Sequence, residues 1–192
     1  FLPDIVDFFH SLGVKGIGFN IILDAQGQDS AVVNPERLAY FMFKAYRRAH
    51  ELGIAEDRVG ERRVAHFFKE IPRVYDCPGY GQQIYFSPNG NMGPCQAFHS
   101  MNQYQIPVTS TIENSVVFYA WLKMGGPFKS EVCMDCPAIG ICGGACPYAV
   151  YTKTGHLSHI DTYFCTWVNE ILKYLISYYY EINSQQINAT IA

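Results

Sequence analysis

The 192-residue sequence lacks an excess of positive charge and lacks an apolar run long enough to span a membrane. Lys and Arg number 14 against 17 Asp and Glu, which gives a formal net charge of −3. Without a basic field there is no electrostatic basis for binding nucleic acid. A spanning helix needs about 20 consecutive apolar residues, so we expect no membrane partner either. The length suffices for one or two domains with a buried core.

Secretory features are missing as well, and the 7 cysteines form an odd set. An odd number argues against a framework of disulfides alone, because one thiol would be left over. Four of the cysteines have the spacing C-x2-C-x5-C-x3-C, which favours metal or cluster ligation in a reducing compartment, and we expect a cytoplasmic protein. These four are Cys133, Cys136, Cys142 and Cys146, with Cys77 and Cys95 upstream and Cys165 downstream.

A helix followed by a strand is predicted at the start of the chain. Apolar residues at helical spacing predict a helix over residues 3–12, and Gly13 is suited to end it. The run Lys15–Leu23 predicts a strand buried on both faces, as in a parallel sheet. The apolar stripe of this first helix comprises Ile5, Phe8, Phe9 and Leu12.

Two further helices give residues 1–71 the alternation that is typical of α/β architecture. Asn34 is placed to cap a helix over residues 35–52, and Gly53 is placed to end it. Another helix is predicted over residues 57–70. The side chains expected to face inward are Leu38, Phe41, Met42, Ala45, Ala49 and Leu52 on the first of these helices, and Val64, Phe67 and Phe68 on the second.

From Cys77 onward glycine and proline become frequent and the predicted elements become short. We predict a strand over residues 82–86 and a hairpin turn over residues 87–90. A helix is predicted over residues 112–123, followed by a cysteine-rich loop over residues 133–147.

A last helix is predicted from Asp161 to about Glu181, with a polar, frayed tail after residue 182. The tyrosines of residues 174–180 are expected to serve helix packing rather than a radical relay. The predicted inward stripe comprises Phe164, Val168, Ile171, Leu172, Leu175 and Ile176.

Seven thiolates divide most simply into a set of four and a set of three. A [4Fe–4S] cluster takes about four thiolates, and the loop of residues 133–147 can supply three of them from one short segment. A set of three leaves one iron open to water, a side chain or a substrate. Proline follows Cys77, Cys136 and Cys146, as in ferredoxin C-P sequences, where it removes a backbone donor and turns the chain away.

These cysteine motifs resemble the SPASM domain of radical SAM enzymes. The matching segments are G-N-M-G-P-C at 90–95, C-M-D-C-P at 133–137, C-G-G-A-C-P at 142–147 and the single Cys165. The family pattern is C-x(9–15)-G-x4-C, then C-x2-C-x5-C-x3-C, then C, and it fits at all 7 cysteines and at Gly90. The resemblance covers about residues 72–170.

The resemblance implies an α+β fold with three parts. Residues 1–71 would be the last strand and helices of a partial (β/α)6 radical SAM barrel, to which they bear a less specific likeness. Residues 72–170 would be the SPASM iron–sulfur domain, with a small β-hairpin, cysteine-rich loops and helices. Residues 171–192 would be the end of the C-terminal helix and a polar tail.

The resemblance also implies two auxiliary [4Fe–4S] clusters whose ligands interleave along the chain. Neighbouring Cys142 and Cys146 would bind different clusters, as neighbouring cysteines do in two-cluster ferredoxins. The implied ligands are Cys77, Cys95 and Cys146 for auxiliary cluster I, and Cys133, Cys136, Cys142 and Cys165 for auxiliary cluster II.

The implied activity is radical modification of a peptide or protein substrate, which starts with reductive cleavage of S-adenosylmethionine and needs a reducing electron donor. In this family the S-adenosylmethionine-binding cluster lies on C-x3-C-x2-C. This chain lacks that motif, since residue 149, where the third cysteine would follow Cys142 and Cys146, is alanine. The chain begins at Phe1 rather than Met, so we expect the motif and its third [4Fe–4S] cluster upstream. The chain is then a C-terminal fragment that is inactive by itself.

Anaerobic sulfatase-maturating enzymes are related but differ from this chain at the first cluster. They carry an aspartate base directly after the cysteine that matches Cys95, and here that position is Gln96, which cannot accept a proton in that role. They also carry an additional cysteine in the first gap, and residues 78–94 contain none. We therefore expect a maturase of ribosomally made peptides rather than of sulfatases.

Two other functions are compatible with the residues alone. A stand-alone two-cluster electron-transfer or partner-binding module would use the same cysteines, although the strand over residues 15–23 would then have exposed edges. A zinc-stabilised structural module is the second alternative, since C-x2-C also suits tetrahedral zinc.

A few polar side chains outside the cysteine set are candidates for a role at a site. Asp76 could complete the open iron of auxiliary cluster I, and Gln96 could face substrate. Asn20 and Asp24 lie near the end of the predicted strand, where barrels of this kind bind ligands. Surface or hydrogen-bonded positions are expected for His66, His99, His156 and His159.

Overall fold

The computed structural model describes residues 1–21, 33–80, 82–101, 104–112, 115, 116, 119 and 126–191, and these form two units. The first unit comprises the described residues up to 71 together with those from 162 onward. The second comprises the described residues of 72–161. The boundaries between these units lie at 71/72 and at 161/162, whereas the sequence analysis placed domain boundaries at 71/72 and at 170/171. Among the described residues, no helix is both long and apolar enough to cross a membrane.

Helices dominate the first unit. α1 spans Leu2–Ser11 and α2 spans Pro35–Glu51, and the unit closes with the C-terminal helix, Thr162–Ile191. The predicted cap of α2 is confirmed, since Asn34 Oδ1 accepts a hydrogen bond of 2.9 Å from the Arg37 backbone N–H. Gly53 follows α2 with a φ of 67°, as expected for a residue that ends a helix.

The core of the first unit forms where α2 packs against the C-terminal helix. The rings of Phe43 and Tyr174 stack with centroids 5.2 Å apart, and Tyr178 meets Phe43 edge-on at 5.7 Å. The tyrosines thus contribute to helix packing, as predicted. The predicted stripe of the C-terminal helix is correct except at Ile176, which is 54% exposed. Its buried residues are Phe164, Trp167, Val168, Ile171, Leu172, Leu175 and Tyr178.

The apolar stripe of α1 is not its buried side. Its stripe residues are exposed, with 59% of Phe8 and 63% of Leu12 accessible, whereas Val6 is fully buried. Val6 packs with Ala45 and Ala49 of α2, whose small side chains allow the two helices to approach closely. The helix therefore buries the side that carries Leu2 and Val6 and leaves the larger apolar side exposed.

A short parallel sheet replaces the long strand that was predicted over residues 15–23. β1, Gly16–Ile17, pairs with β2, Ala55–Glu56. The prediction that this strand is buried on both faces is wrong for its described part, because residues 15–21 are all exposed or half-buried. With a single neighbouring strand among the described residues, β1 has only one partner to bury it. Ile22 and Leu23 lie outside the described residues.

The predicted helix over residues 57–70 consists of a π-helical segment, Asp57–Val64, followed by α3, Ala65–Lys69. Phe67 and Phe68 were expected inside, yet they are 44% and 55% exposed. The interior positions belong to Val59 and Arg63, both fully buried.

A three-stranded antiparallel sheet opens the second unit. Its strands are β3 (Tyr85–Phe86), β4 (Asn91–Gly93) and β5 (Ile106–Pro107), in the order β3-β4-β5. The predicted hairpin turn is confirmed, since the Gly90 N–H donates to the Ser87 carbonyl at 3.1 Å and Gly90 has a φ of 80°. β3 is shorter than predicted, and β5 was not predicted.

Short helices interrupt the segment that was predicted as a loop over residues 133–147. They are α4 (Glu131–Met134), α5 (Ile139–Cys142) and α6 (Pro147–Thr154). Most of the predicted helix over residues 112–123 lies outside the described residues. The predicted frayed tail after residue 182 is wrong, because the C-terminal helix continues to Ile191.

Candidate metal centre

Two backbone hydrogen bonds join the segment that leads to Cys77 to the cysteine-rich segment of the second unit. The Arg73 N–H donates to the Gly140 carbonyl at 2.8 Å, and the Asp76 N–H donates to the Gly143 carbonyl at 2.6 Å. Gly143 has a φ of 69°, and a Cβ at this position would lie 2.6 Å from the Asp76 nitrogen. The pairing therefore requires glycine at this position.

An ion pair supports the same junction. Asp76 is buried, with 4% of the residue exposed, and its Oδ1 lies 3.5 Å from Arg73 Nε. Arg73 also donates through Nη2 to the Asp76 carbonyl at 3.2 Å. Asp76, predicted as a possible ligand, is therefore held by a guanidinium group.

Three cysteine sulfurs of this unit each accept backbone N–H hydrogen bonds from residues that follow them closely. Cys77 Sγ accepts from the Gly79 N–H at 3.4 Å, and Cys95 Sγ accepts from the Ala97 N–H at 3.4 Å. The N–H groups of Tyr148 and Ala149 donate to the sulfur of Cys146. Such donors stabilise the thiolate form that binds metals. The three cysteines thus share one local arrangement although they are far apart in sequence.

Electrostatic interactions link these three thiols. Burial, together with the smaller effects of the charges of Cys77 and Cys95, raises the pKa of Cys146 to about 11. Burial also raises the pKa of Cys95, to which Cys77 contributes in the same direction. Without a metal the thiols of Cys95 and Cys146 hold their protons at neutral pH, so metal binding there releases protons. The three residues are the set that the SPASM resemblance implies for auxiliary cluster I.

Gly79 lies directly against two of these cysteines. A Cβ at this position would lie 3.3 Å from Cys77 Sγ and 3.6 Å from Cys95 Cβ. Within the part of the chain that the structure describes, no group of three or more His, Cys, Asp or Glu side chains is arranged to hold a single metal ion. A zinc ion needs its sulfurs within about 2.3 Å of one point. Among the described residues the thiols are therefore not pre-arranged around a single metal ion.

Tyr80 is a residue of this site that the sequence analysis missed. It is 5% exposed, and the groups that interact with its phenol are Cys146, Cys77, Asp76 and Cys142. Burial raises the pKa of Tyr80, and these neighbouring negative charges raise it further. Its position directly after C-P-G was the only signal in the sequence.

The remaining four cysteines lie on other elements. Cys133 belongs to α4, the Cys136 N–H donates to the Cys133 carbonyl at 3.1 Å, and Cys142 ends α5 with 8% exposed. Cys165 belongs to the C-terminal helix and hence to the first unit. All seven cysteines are free thiols.

The other described candidate side chains are hydrogen-bonded or exposed. His66 Nδ1 is 2.9 Å from the Ile71 carbonyl, and His99 Nδ1 is 3.2 Å from the Gln96 carbonyl, as expected for hydrogen-bonded histidines. His156 and His159 are exposed, with ring centroids 5.0 Å apart. Asn20 and Gln96 are exposed. Asp24 lies outside the described residues.

No family model matches the chain. No curated protein matches it either.

Proposed function

We propose that this chain is the C-terminal, auxiliary-cluster part of a radical SAM/SPASM enzyme that modifies a peptide or protein. The observation that carries the proposal is the association of Cys146 with Cys77 and Cys95. Sequence proximity alone would group Cys146 with Cys142, four residues away. The interleaved ligand pattern of SPASM domains instead groups it with the two distant cysteines, and the electrostatic interactions support that grouping.

In the proposed site Cys77, Cys95 and Cys146 hold auxiliary cluster I. Auxiliary cluster II is assigned to Cys133, Cys136, Cys142 and Cys165. When bound, such clusters supply one-electron transfer and, at an open iron, a place for substrate. The chain's own residues provide thiolates, backbone N–H donors to sulfur and a partly buried environment, which together set how easily the cluster is reduced.

The proposal places this chain in the cytoplasm with a peptide or protein substrate and a reducing electron donor as partners. S-adenosylmethionine and a third [4Fe–4S] cluster are assigned to a segment that carries C-x3-C-x2-C. The gene that encodes this chain is expected to encode that motif upstream of Phe1. A reading frame without the motif would favour the stand-alone electron-transfer module instead.

The test is anaerobic reconstitution with iron and sulfide, followed by iron and sulfide analysis and absorption spectroscopy. We expect a brown protein that carries two clusters. Cys77→Ala and Cys146→Ala should each remove the same cluster, so the double variant should lose no more iron than either single variant. Cys142→Ala is the matched control, because it should remove the other cluster and add to the loss caused by Cys146→Ala.

Two results would contradict the proposal. A colourless protein that takes up only zinc would favour the structural module. The second contradicting result combines two observations. The iron losses of Cys77→Ala and Cys146→Ala would be additive in the double variant, and adding Cys142→Ala to Cys146→Ala would cause no further loss. Together these observations would place Cys146 with Cys142 at one centre.

A further inference from the structure

Cys77 and Cys95 both lie against Gly79, although residues 78–94 separate them in the sequence. A Cβ built on Gly79 would lie 3.3 Å from the sulfur of Cys77 and 3.6 Å from the Cβ of Cys95. A side chain at this position would touch both cysteines, and glycine places none against them. The two thiol-bearing side chains therefore meet in one small region of the second unit.

Backbone hydrogen bonds fix the local fold around each of the two cysteines. The Tyr80 N–H donates to the Cys77 carbonyl at 3.3 Å, which closes the turn after Cys77. Cys95 caps the short 3₁₀ turn that follows it, and its carbonyl accepts from the Phe98 N–H at 3.1 Å. Each thiol is thus carried by a turn with its own hydrogen bonds.

The side chain of Gln83 ties these two turns together. Its Nε2 donates to the carbonyl of Pro94, directly before Cys95, at 3.0 Å. The same nitrogen lies 3.7 Å from the Cβ position of Gly79. The folded chain therefore keeps the two thiols near each other, which raises the rate of any reaction between them.

Both thiols are free and half-buried, so a small oxidant can reach them. We propose that Cys77 and Cys95 form a reversible disulfide when the metal-free chain meets a disulfide oxidant such as oxidised glutathione. The thiolate of one cysteine attacks a sulfur of the oxidant, forms a mixed disulfide and releases one glutathione thiolate. The other cysteine then loses its proton, attacks the first cysteine's sulfur and displaces the second glutathione. The two cysteines give up two electrons and two protons, and the oxidant leaves as two molecules of reduced glutathione.

This bond is a redox switch on the proposed metal centre. Metals bind the thiolate form of cysteine, and a sulfur in a disulfide no longer carries that charge. Oxidation therefore removes two of the three proposed ligands of auxiliary cluster I, and a thiol reductant restores them. Only this consequence rests on the proposed function, because the bond itself needs no metal.

The test incubates the metal-free chain with oxidised glutathione and then combines thiol titration with peptide mapping under non-reducing conditions. Of the 7 cysteines, two should lose their reactive thiols, and one cross-linked peptide pair should contain Cys77 and Cys95. Dithiothreitol should reverse both changes. Cys95→Ser should stop at the mixed disulfide of Cys77 with glutathione.

Cys133→Ser is the matched control, because Cys133 is also half-buried but belongs to α4. This variant should form the bond as wild type does. The chain treated in denaturant should lose the preference for this pair, since the turns and Gln83 no longer hold the thiols together.

Three results overturn the inference: no loss of thiols, a bond from either cysteine to any other, or the same preference in denaturant. Iron uptake by a chain that never forms this bond leaves the proposed function intact. A chain that forms and releases the bond but binds no iron after reduction overturns the proposed function and leaves the disulfide standing.

Discussion

The backbone nitrogen of Asp76 donates a hydrogen bond of 2.6 Å to the carbonyl oxygen of Gly143. Cys77 follows the donor directly, and Cys142 and Cys146 lie on either side of the acceptor. One contact thus brings together parts of the chain that carry cysteines from both proposed ligand sets. The geometry leaves no room for a side chain on the acceptor residue.

We expect Gly143→Ala to disrupt the proposed metal centre. A Cβ at this position would meet the Asp76 nitrogen at 2.6 Å and the Tyr75 carbonyl carbon at 2.8 Å, and the residue has a φ of 69°. The strain should cost about 1–3 kcal/mol of unfolding free energy, and the displaced backbone should reduce iron binding. Denaturant unfolding and iron analysis measure the two effects.

Gly140→Ala is the control for this substitution. Gly140 lies in the same segment, and a Cβ there would meet no atom within 4 Å. The control should change stability and iron content little. Equal behaviour of the two variants would mean that the close approach at Gly143 does not shape the site.

Local signals in the sequence predicted the boundaries of α2 and the hairpin turn, because a capping asparagine and a turn glycine act within a few residues. The buried side of α1 could not be predicted in this way. Its apolar side with Phe8 and Leu12 gave the stronger pattern, but the side with Val6 fits against Ala45 and Ala49. Which side is buried depends on the shape of a neighbour that is distant in sequence.

At the candidate site, too, features set by neighbouring residues could be predicted, whereas contacts between residues far apart in sequence could not. The spacing of the cysteines identified them as candidate ligands, because thiol chemistry and the intervals between cysteines in the sequence are enough to suggest metal binding. Spacing could not associate Cys146 with Cys77 and Cys95, and that assignment came from the resemblance to a family. The N–H donors to sulfur and the position of Tyr80 depend on how the turns fold, which spacing does not specify.

Arg63→Lys should destabilise the first unit although it keeps the charge. The guanidinium carbon of Arg63 lies 5.6 Å from the Phe164 ring centroid and 5.4 Å from that of Trp167, and Arg63 is fully buried. A lysine ammonium cannot stack as a plane between aromatic rings and is costlier to desolvate. We expect a loss of about 2 kcal/mol of unfolding free energy, measured by denaturant titration.

Arg48→Lys serves as the comparison for that variant. Arg48 Nε lies 2.6 Å from Asp7 Oδ1 at the surface, where an ion pair contributes little to stability. If Arg63→Lys lost no more free energy of unfolding than Arg48→Lys, the contact of the Arg63 guanidinium with the rings of Phe164 and Trp167 would be unimportant.

Glu56→Gln should lower the free energy of unfolding, and this loss should become smaller as the pH rises. The carboxylate of Glu56 accepts hydrogen bonds from the backbone N–H groups of Arg58, Val59 and Gly60, at 2.9, 2.7 and 3.0 Å. Burial raises the pKa of this carboxyl group, an effect larger than the opposing one of those hydrogen bonds. The folded state therefore holds this proton more tightly than the unfolded state does.

Such a group stabilises the fold fully below its unfolded pKa, and this contribution is lost as the pH rises through its folded pKa. Glutamine does not titrate, so the difference in unfolding free energy between wild type and Glu56→Gln should be larger near pH 4 than near pH 7. Glu61→Gln, at an exposed position of the same π-helical segment, is the control for removing one carboxylate from this segment. A penalty that grows with pH would contradict the predicted direction of the pKa shift.

Gly79→Val should weaken iron binding more than it lowers the free energy of unfolding. A Cβ at Gly79 would lie 3.3 Å from Cys77 Sγ and 3.7 Å from Gln83 Nε2, so a first methyl group fits with small shifts in the metal-free chain. The γ-methyl groups of valine would crowd Cys77 and Cys95, two of the proposed ligands of auxiliary cluster I. The reconstituted variant should therefore lose iron to a chelator several-fold faster than wild type under anaerobic conditions. Gly79→Ala should give a smaller effect in the same direction, since it adds less volume. Loss of iron at the wild-type rate in both variants, with normal unfolding, would mean that the space at Gly79 is not where the cluster binds.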